Sequence, residues 1–353
     1  MTEKKSEEYL REQEGFSMSK TREIVKDLFR PNPIIYWVDF LFCAILGWGA
    51  FLETLRSTVL SSRQIFFLVL SSLALYRAAL FIHEIVHFKK GTFKVFRWTW
   101  NIVCGFPLMI PFFLYQSVHF DHHKQKFYGT EKDGEYFPFA IKGRRWIVIH
   151  ILFSCLIPIL FFTRFSVLTP LSLINKKLRS FLMTRMSSLV IDLDYQRPDS
   201  TWQNSDDWKI QEFLACLFTW IFSGLIIMEI IPAIAFFMWY CVEVLIFMVN
   251  SIRTLGAHRY QNPKESVMSY PDQMLDSVNT PGNRWTTPLW APVGLRFHAT
   301  HHLFPDLPYH ALGEAHRRLM RDNGENSLYG RTVSSGLVST LHQLWKHANN
   351  SKL

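Results

Sequence analysis

Four stretches of this chain are almost unbroken apolar sequence: residues 34–52, 65–82, 213–231 and 233–250. A helix needs roughly 20 mostly apolar residues to cross a bilayer, so each stretch is predicted to span a membrane. Glu53 to Gln64 links the first two, and Pro232, where a helix cannot continue unbroken, divides the last two. The pattern is two hairpins, each beginning and ending on one side. Two further apolar stretches are interrupted, 98–115 by Pro107 and Pro111 and 146–162 by Pro158. Lys89, Lys90 and Lys94 precede the first and Lys124 and Lys126 follow it. Lys142, Arg144 and Arg145 precede the second, and Lys176, Lys177, Arg179 and Arg185 follow it. Basic residues on both flanks mark one cytoplasmic face, so both stretches are predicted to be re-entrant or interfacial helices. The expected fold is an all-α membrane protein with four transmembrane helices and a cytoplasmic helical cap. Residues 1–33 read as a cytoplasmic N-terminal segment, 34–320 as one membrane domain with its cap, and 321–353 as a C-terminal cytoplasmic tail.

Composition agrees with a membrane setting, with 31 Phe, 12 Trp and 12 Tyr in 353 residues. The first 30 residues are charged and hold no apolar run of roughly 7 to 15 residues, which excludes a secretory signal there. Cys43, Cys104, Cys155, Cys216 and Cys241 stand singly in apolar surroundings and read as small hydrophobes. The formal net charge of +9 suits a cytoplasmic face that meets anionic lipid or an anionic head group. No basic–aromatic nucleic-acid motif is present.

Fourteen histidines are present, and eight fall in three five-residue windows, HEIVH, HFDHH and HATHH. These are His83 and His87; His119, His122 and His123; and His298, His301 and His302. Residues three and four apart share one face of a helix, so each window can aim imidazoles at one point. Neutral imidazole binds iron, zinc and copper, and eight exceed what one tetrahedral ion uses, which implies two metals. The predicted spans bring the windows to one membrane surface. His258, about two turns past the last span, is a ninth candidate ligand. His310 and His316 follow the third window and are weaker candidates, for metal or for orienting a ligand. His150, His342 and His347 read as satisfied or exposed side chains. Glu243 lies inside the last span, where a carboxylate is either functional or paired with Arg77.

These windows, set after one hairpin and around a second, resemble the integral-membrane fatty acid desaturase family over roughly residues 34 to 320. RTLGAHRYQNP, from Arg253 to Pro263, resembles its bacterial acyl-lipid members. The resemblance implies two Fe ions held by His83, His87, His119, His122, His123, His298, His301 and His302, with His258 matching a further family histidine. It implies dioxygen as co-substrate and a fatty-acyl substrate in an apolar tunnel, into which a carbon–carbon double bond is inserted. Electrons would come from a separate protein (ferredoxin, rubredoxin or a b-type cytochrome) with its reductase. The acyl-CoA members carry an asparagine four residues before that further histidine, where this chain has Thr254. The location implied is a bacterial inner membrane with the active site and both termini cytoplasmic.

Three other readings compete. HEIVH also satisfies HExxH, in which two histidines bind zinc and the glutamate is the base of a metalloprotease, but this leaves six clustered histidines idle. Related di-iron fatty-acyl hydroxylases and terminal-alkene-forming enzymes use similar clusters. A receptor or scaffold with surviving histidines would need no metal. Under the desaturase reading Glu84 is expected to support a ligand or to face solvent. Arg253, Arg259, Arg284 and Arg296 are candidates to cap the tunnel.

Overall fold

The computed structural model describes residues 17–89, 91–198, 206–264 and 266–350. Half of the expected N-terminal segment, residues 1–16, lies outside them. Among the described residues the chain is helical, with isolated bridges and no strand.

Four helices are long and apolar enough to cross a membrane: Pro33–Arg56, Ser62–His87, Asp207–Ile227 and Ile234–Leu255. They are the two predicted hairpins. The first begins where Asn32 caps the backbone N–H of Ile34 at 3.0 Å with Pro33 at its opening position, an arrangement that satisfies an otherwise orphaned donor. Its two faces are both apolar but differently used. Tyr36, Phe40, Ala44, Gly47 and Phe51 are buried at helical spacing, while Ile34, Val38, Phe42, Ile45 and Leu52 are exposed. A helix apolar all round belongs in lipid.

The first two spans lie close because Gly47 has no side chain. A Cβ there would sit 2.6 Å from Leu75 Cγ and 3.1 Å from the Leu75 backbone nitrogen. Near the ends that face the cap, Arg77 Nε donates to Asp39 Oδ1 at 2.8 Å, and Tyr309 of the cap donates to Asp39 Oδ2 at 2.8 Å. Arg77 therefore does not pair with Glu243. That carboxylate is buried in the fourth span, and neither of its oxygens has a hydrogen-bond partner among the described residues.

The Pro107–Pro111 stretch dips in and returns. Helix Lys94–Trp100 runs into a π-helical turn at Asn101–Gly105, the chain reverses, and Phe113–His122 leads back. Backbone left unpaired at such a reversal must be satisfied by protein. Asn101 Oδ1 accepts from Phe112 N at 2.9 Å, Gln211 Oε1 from Phe113 N at 3.0 Å, and Trp239 Nε1 donates to Pro107 O at 2.8 Å. The last two side chains come from the third and fourth spans, so the second hairpin holds the loop that leads to the second histidine window. The other stretch, Arg144–Phe153 and Ile157–Ser172, is bent by 51°.

Beyond the fourth span lies the cap. Helix Tyr309–Asn323 runs through the expected boundary at 320, and Leu337–Asn350 packs on Phe139–Lys142 and Arg144–Phe153. The described part of the expected tail is thus docked, with Arg144 Nε donating to Trp345 O at 3.0 Å.

Adding one methyl group at the tight crossing should be costly. Gly47→Ala is expected to lower thermal stability in detergent, by about 1–3 kcal/mol from overpacking. Gly49→Ala, where a Cβ meets nothing within 4 Å, should be neutral or slightly stabilising. Equal melting curves for the two variants would refute the close crossing.

Candidate metal centre

His83 and His87 occupy the last turns of the second span. His119 and His122 end the helix Phe113–His122, and His123 caps it. His258 lies just past the fourth span, and His298, His301 and His302 share the short helix His298–Leu303. These nine imidazoles converge in two groups. His83, His87, His119, His123 and His301 form one and His122, His258, His298 and His302 the other, with the ligating atoms of each group within 4.8 Å of one another. Each group draws on at least two of the windows, so neither exists until the chain has folded.

The spacing fits metal ions better than hydrogen bonds. His119 Nε2 is 3.0 Å from His87 Nε2 and 3.1 Å from His123 Nε2, which is also 3.1 Å from His301 Nε2. In the other group His298 Nε2 is 2.8 Å from His258 Nε2 and 3.1 Å from His302 Nε2. A ring nitrogen has one hydrogen or one lone pair and cannot serve two such partners. Two nitrogens each about 2.1 Å from one ion and at right angles lie about 3.0 Å apart. Both nitrogens of His83 are buried without a hydrogen-bond partner among the described residues, a state that a bound ion would relieve at one of them.

Three of the nine rings are oriented from behind. His122 Nδ1 donates to Asp133 at 2.8 Å, and Asp133 also accepts from Gly129 N at 2.8 Å and Glu135 N at 3.0 Å. His119 Nδ1 donates to Glu135 Oε1 at 3.0 Å. His258 Nδ1 donates to Tyr128 at 2.9 Å, and Tyr128 donates to Asp276 at 2.8 Å. A proton fixed on Nδ1 leaves the Nε2 lone pair pointing inward, as a metal requires. Burial, followed by the neighbouring imidazoles, holds His119, His123, His301 and His302 well below the ordinary histidine range, so these rings stay neutral. Burial also opposes charge on His122, but Asp133, with Glu135 and Asp276, raises its pKa above the ordinary histidine value. The same His122, with the backbone donors, holds Asp133 below the usual carboxylate range against its burial.

Several sequence expectations change. Glu84 does not face solvent: it is buried, accepting from Tyr36 at 2.6 Å and from Tyr309 N at 3.0 Å. Both its hydrogen bonds are to buried tyrosines, which does not suit the base of a protease, and its Oε1 lies 3.9 Å from Nδ1 of His83, behind that ring. His310 accepts from Asn32 N at 3.1 Å, and His316 Nδ1 meets the Tyr329 hydroxyl at 2.8 Å; neither is in a group. Through Tyr329, which lies 2.7 Å from Thr300, His316 braces the third-window helix. Thr254 spends its hydroxyl on Ser251 O at 2.8 Å. Asp133, Glu135, Tyr128 and Asp276 were missed. The pair Asp133 and Glu135 in DGEY lies soon after the second window, which is a faint signal.

A cavity of about 290 Å³ opens onto His83 and is lined by Tyr76, Tyr115, Glu135, Ile246, Phe247 and Arg253 among others. His150, Phe153, Ile157 and Val190 also line a second hollow of about 1020 Å³, which reaches exposed Glu131, Lys132 and Asp194. The two hollows thus adjoin each other across these side chains.

Removing a carboxylate behind a ligand typically costs 10–100-fold in metal affinity. Asp133→Ala should lower bound metal by about that factor in a chelator titration read by elemental analysis, with folding retained. Unchanged affinity would overturn the orienting role.

Residues 61–333 match the fatty acid desaturase family. The chain is 36% identical over 333 residues to a ceramide hydroxylase of Caulobacter vibrioides, a similarity that covers 93% of this chain and 94% of that protein. No solved structure matches. With four spans, two imidazole groups able to hold metal, and a match across most of its length, the chain belongs to the fatty acid desaturase family of integral-membrane enzymes.

Proposed function

We propose that the chain is a dioxygen-dependent lipid hydroxylase. Its irons are held by His83, His87, His119, His123 and His301 in one group and by His122, His258, His298 and His302 in the other. Its substrate is an amphipathic long-chain lipid of the ceramide class. The observation that carries this reading is the cavity beside His83, whose wall combines Ile82, Ile110, Phe161 and Ile246 with Asn250, Ser251, Arg253 and Thr254. An unsubstituted acyl chain needs only the apolar part. The hydroxylase activity named for the Caulobacter vibrioides relative supports the same product, and the desaturation expected from sequence gives way to it.

The overall reaction takes R–H, dioxygen, two electrons and two protons to R–OH and water. Bound irons would supply the reduction of dioxygen, which redox-inactive zinc does not. The protein's share is placement. Asp133, Glu135 and the Tyr128–Asp276 pair fix three ring orientations, and the apolar walls keep water from the reacting carbon. Apolar contact along the cavity decides which carbon lies beside His83. The electrons come from an external ferredoxin, rubredoxin or b-type cytochrome with its reductase, reached on the cytoplasmic side of an inner membrane, an orientation that the basic flanks support.

Desaturation is the second reading, favoured by the family match itself. The two part on product mass. In a host that makes ceramide, the wild-type chain should yield ceramide heavier by one oxygen, with that atom labelled from heavy-isotope dioxygen, and His119→Ala should yield none. Product lighter by two hydrogens would establish desaturation instead. Purified protein lacking iron after growth in iron-replete medium would remove both readings.

A further inference from the structure

Arg253 is a buried cation with no carboxylate in direct contact, although the Tyr76 hydroxyl lies beside it and Glu135 shares its cavity wall. It is 8% exposed, its Nη2 donates to the neutral Asn250 Oδ1 at 2.9 Å, and its Nε is buried with no hydrogen-bond partner. No carboxylate lies within ion-pair distance of it among the described residues. The other buried arginines are provided for. Arg164 has Glu212, and Arg197, which lacks an acid, donates to Ser188, Ser117 and two backbone carbonyls; the half-buried Arg77 has Asp39. A guanidinium offers five donors in a rigid fork, and leaving it buried and unpaired carries a large desolvation penalty. Such a group persists where a ligand completes it.

The space around Arg253 indicates which ligand. Arg253 lines the cavity that opens onto His83, together with Asn250, Ser251 and Thr254. It stands five residues before His258 of the other imidazole group. Most of the remaining wall is apolar, with Glu135, His150, Arg185 and Ser188 among its other polar points, which suits a lipid that carries an oxygen-bearing group close to the reacting carbon. Resting on the hydroxylase reading above, we propose that Arg253, oriented by Asn250, anchors the carbonyl oxygen at the polar end of the acyl chain and so directs oxidation to carbons near that carbonyl. Arg259, Arg284 and Arg296, the other candidates from sequence, do not line this cavity.

The test uses full-length, iron-loaded protein in detergent and native mass spectrometry with three probes: a ceramide, the free fatty acid of equal chain length, and an analogue in which the amide carbonyl is replaced by a methylene. Wild type is expected to bind the first at least about tenfold more tightly than the carbonyl-free analogue. Arg253→Gln should erase that preference and raise KM with little change in kcat, and Arg253→Lys should restore part of it. Tighter binding of the free acid would assign the anchor to a carboxylate instead of an amide carbonyl and so overturn the amide assignment. Tandem mass spectrometry of the wild-type product should place the hydroxyl within the first few acyl carbons. Equal affinity of wild type for ceramide and its carbonyl-free analogue, a measurement that needs no variant, would overturn the anchor, as would a hydroxyl far down the tail. If ceramide binds with the predicted preference but no hydroxylated product forms, the anchor stands and the hydroxylase reading falls.

Discussion

Everything in this molecule answers to the crowding of nine imidazoles into two buried groups with ring nitrogens about 3 Å apart. Left alone, such a set is unfavourable: buried nitrogens lack partners, lone pairs face lone pairs, and burial and the neighbouring imidazoles oppose protonation of His119, His123, His301 and His302. The fold overcomes this by fixing the rings from outside. Carboxylates at Asp133 and Glu135 take Nδ1 protons directly, and Asp276 acts through Tyr128. In the cap, Thr300 N donates to Asn279 at 3.1 Å and Tyr329 bridges Thr300 to His316, which holds the third-window helix in place.

The membrane sets the second condition. In lipid, backbone can leave the helix only where protein supplies its hydrogen bonds, yet the chain must reverse at Pro107–Pro111 to bring the second window back to the surface where the first ends. Asn101, Gln211 and Trp239 make that reversal possible. Two of them come from the second hairpin, so the position of the second window depends on the hairpins packing together. Asp39, bonded to both Arg77 and Tyr309, ties the first hairpin to the cap in the same way.

How much of this was legible in the sequence follows from the range of each signal. The four spans were readable because a long apolar run has few other uses. The three windows were readable because clustered histidines at helical spacing are improbable by chance. His258 was reached from its place just beyond a predicted span, and it does join a group. Orientation was not legible. Glu84 sits in the first window, and only the fold turns it toward Tyr36 and Tyr309. Arg77 was expected as a partner for Glu243, and packing gives it to Asp39 instead. Asp276 reaches its histidine through a tyrosine remote in sequence, a relation that no local spacing encodes.

The two groups are unequal, and the inequality bears on where chemistry occurs. The cavity touches His83, Tyr115 and Glu135 of the five-imidazole side and none of His122, His258, His298 or His302. The four-imidazole side is enclosed by Tyr128, Tyr136 and Asp276, all buried and hydrogen-bonded among themselves. A lipid that enters from the polar hollow past His150 and Ile157 therefore meets the first group first. Arg253 at the end of the fourth span stands on the wall of that approach. Since side chains on the walls of a shaped cavity fix a substrate more narrowly than apolar burial alone, the uneven access would give the proposed hydroxylation a single point of attack.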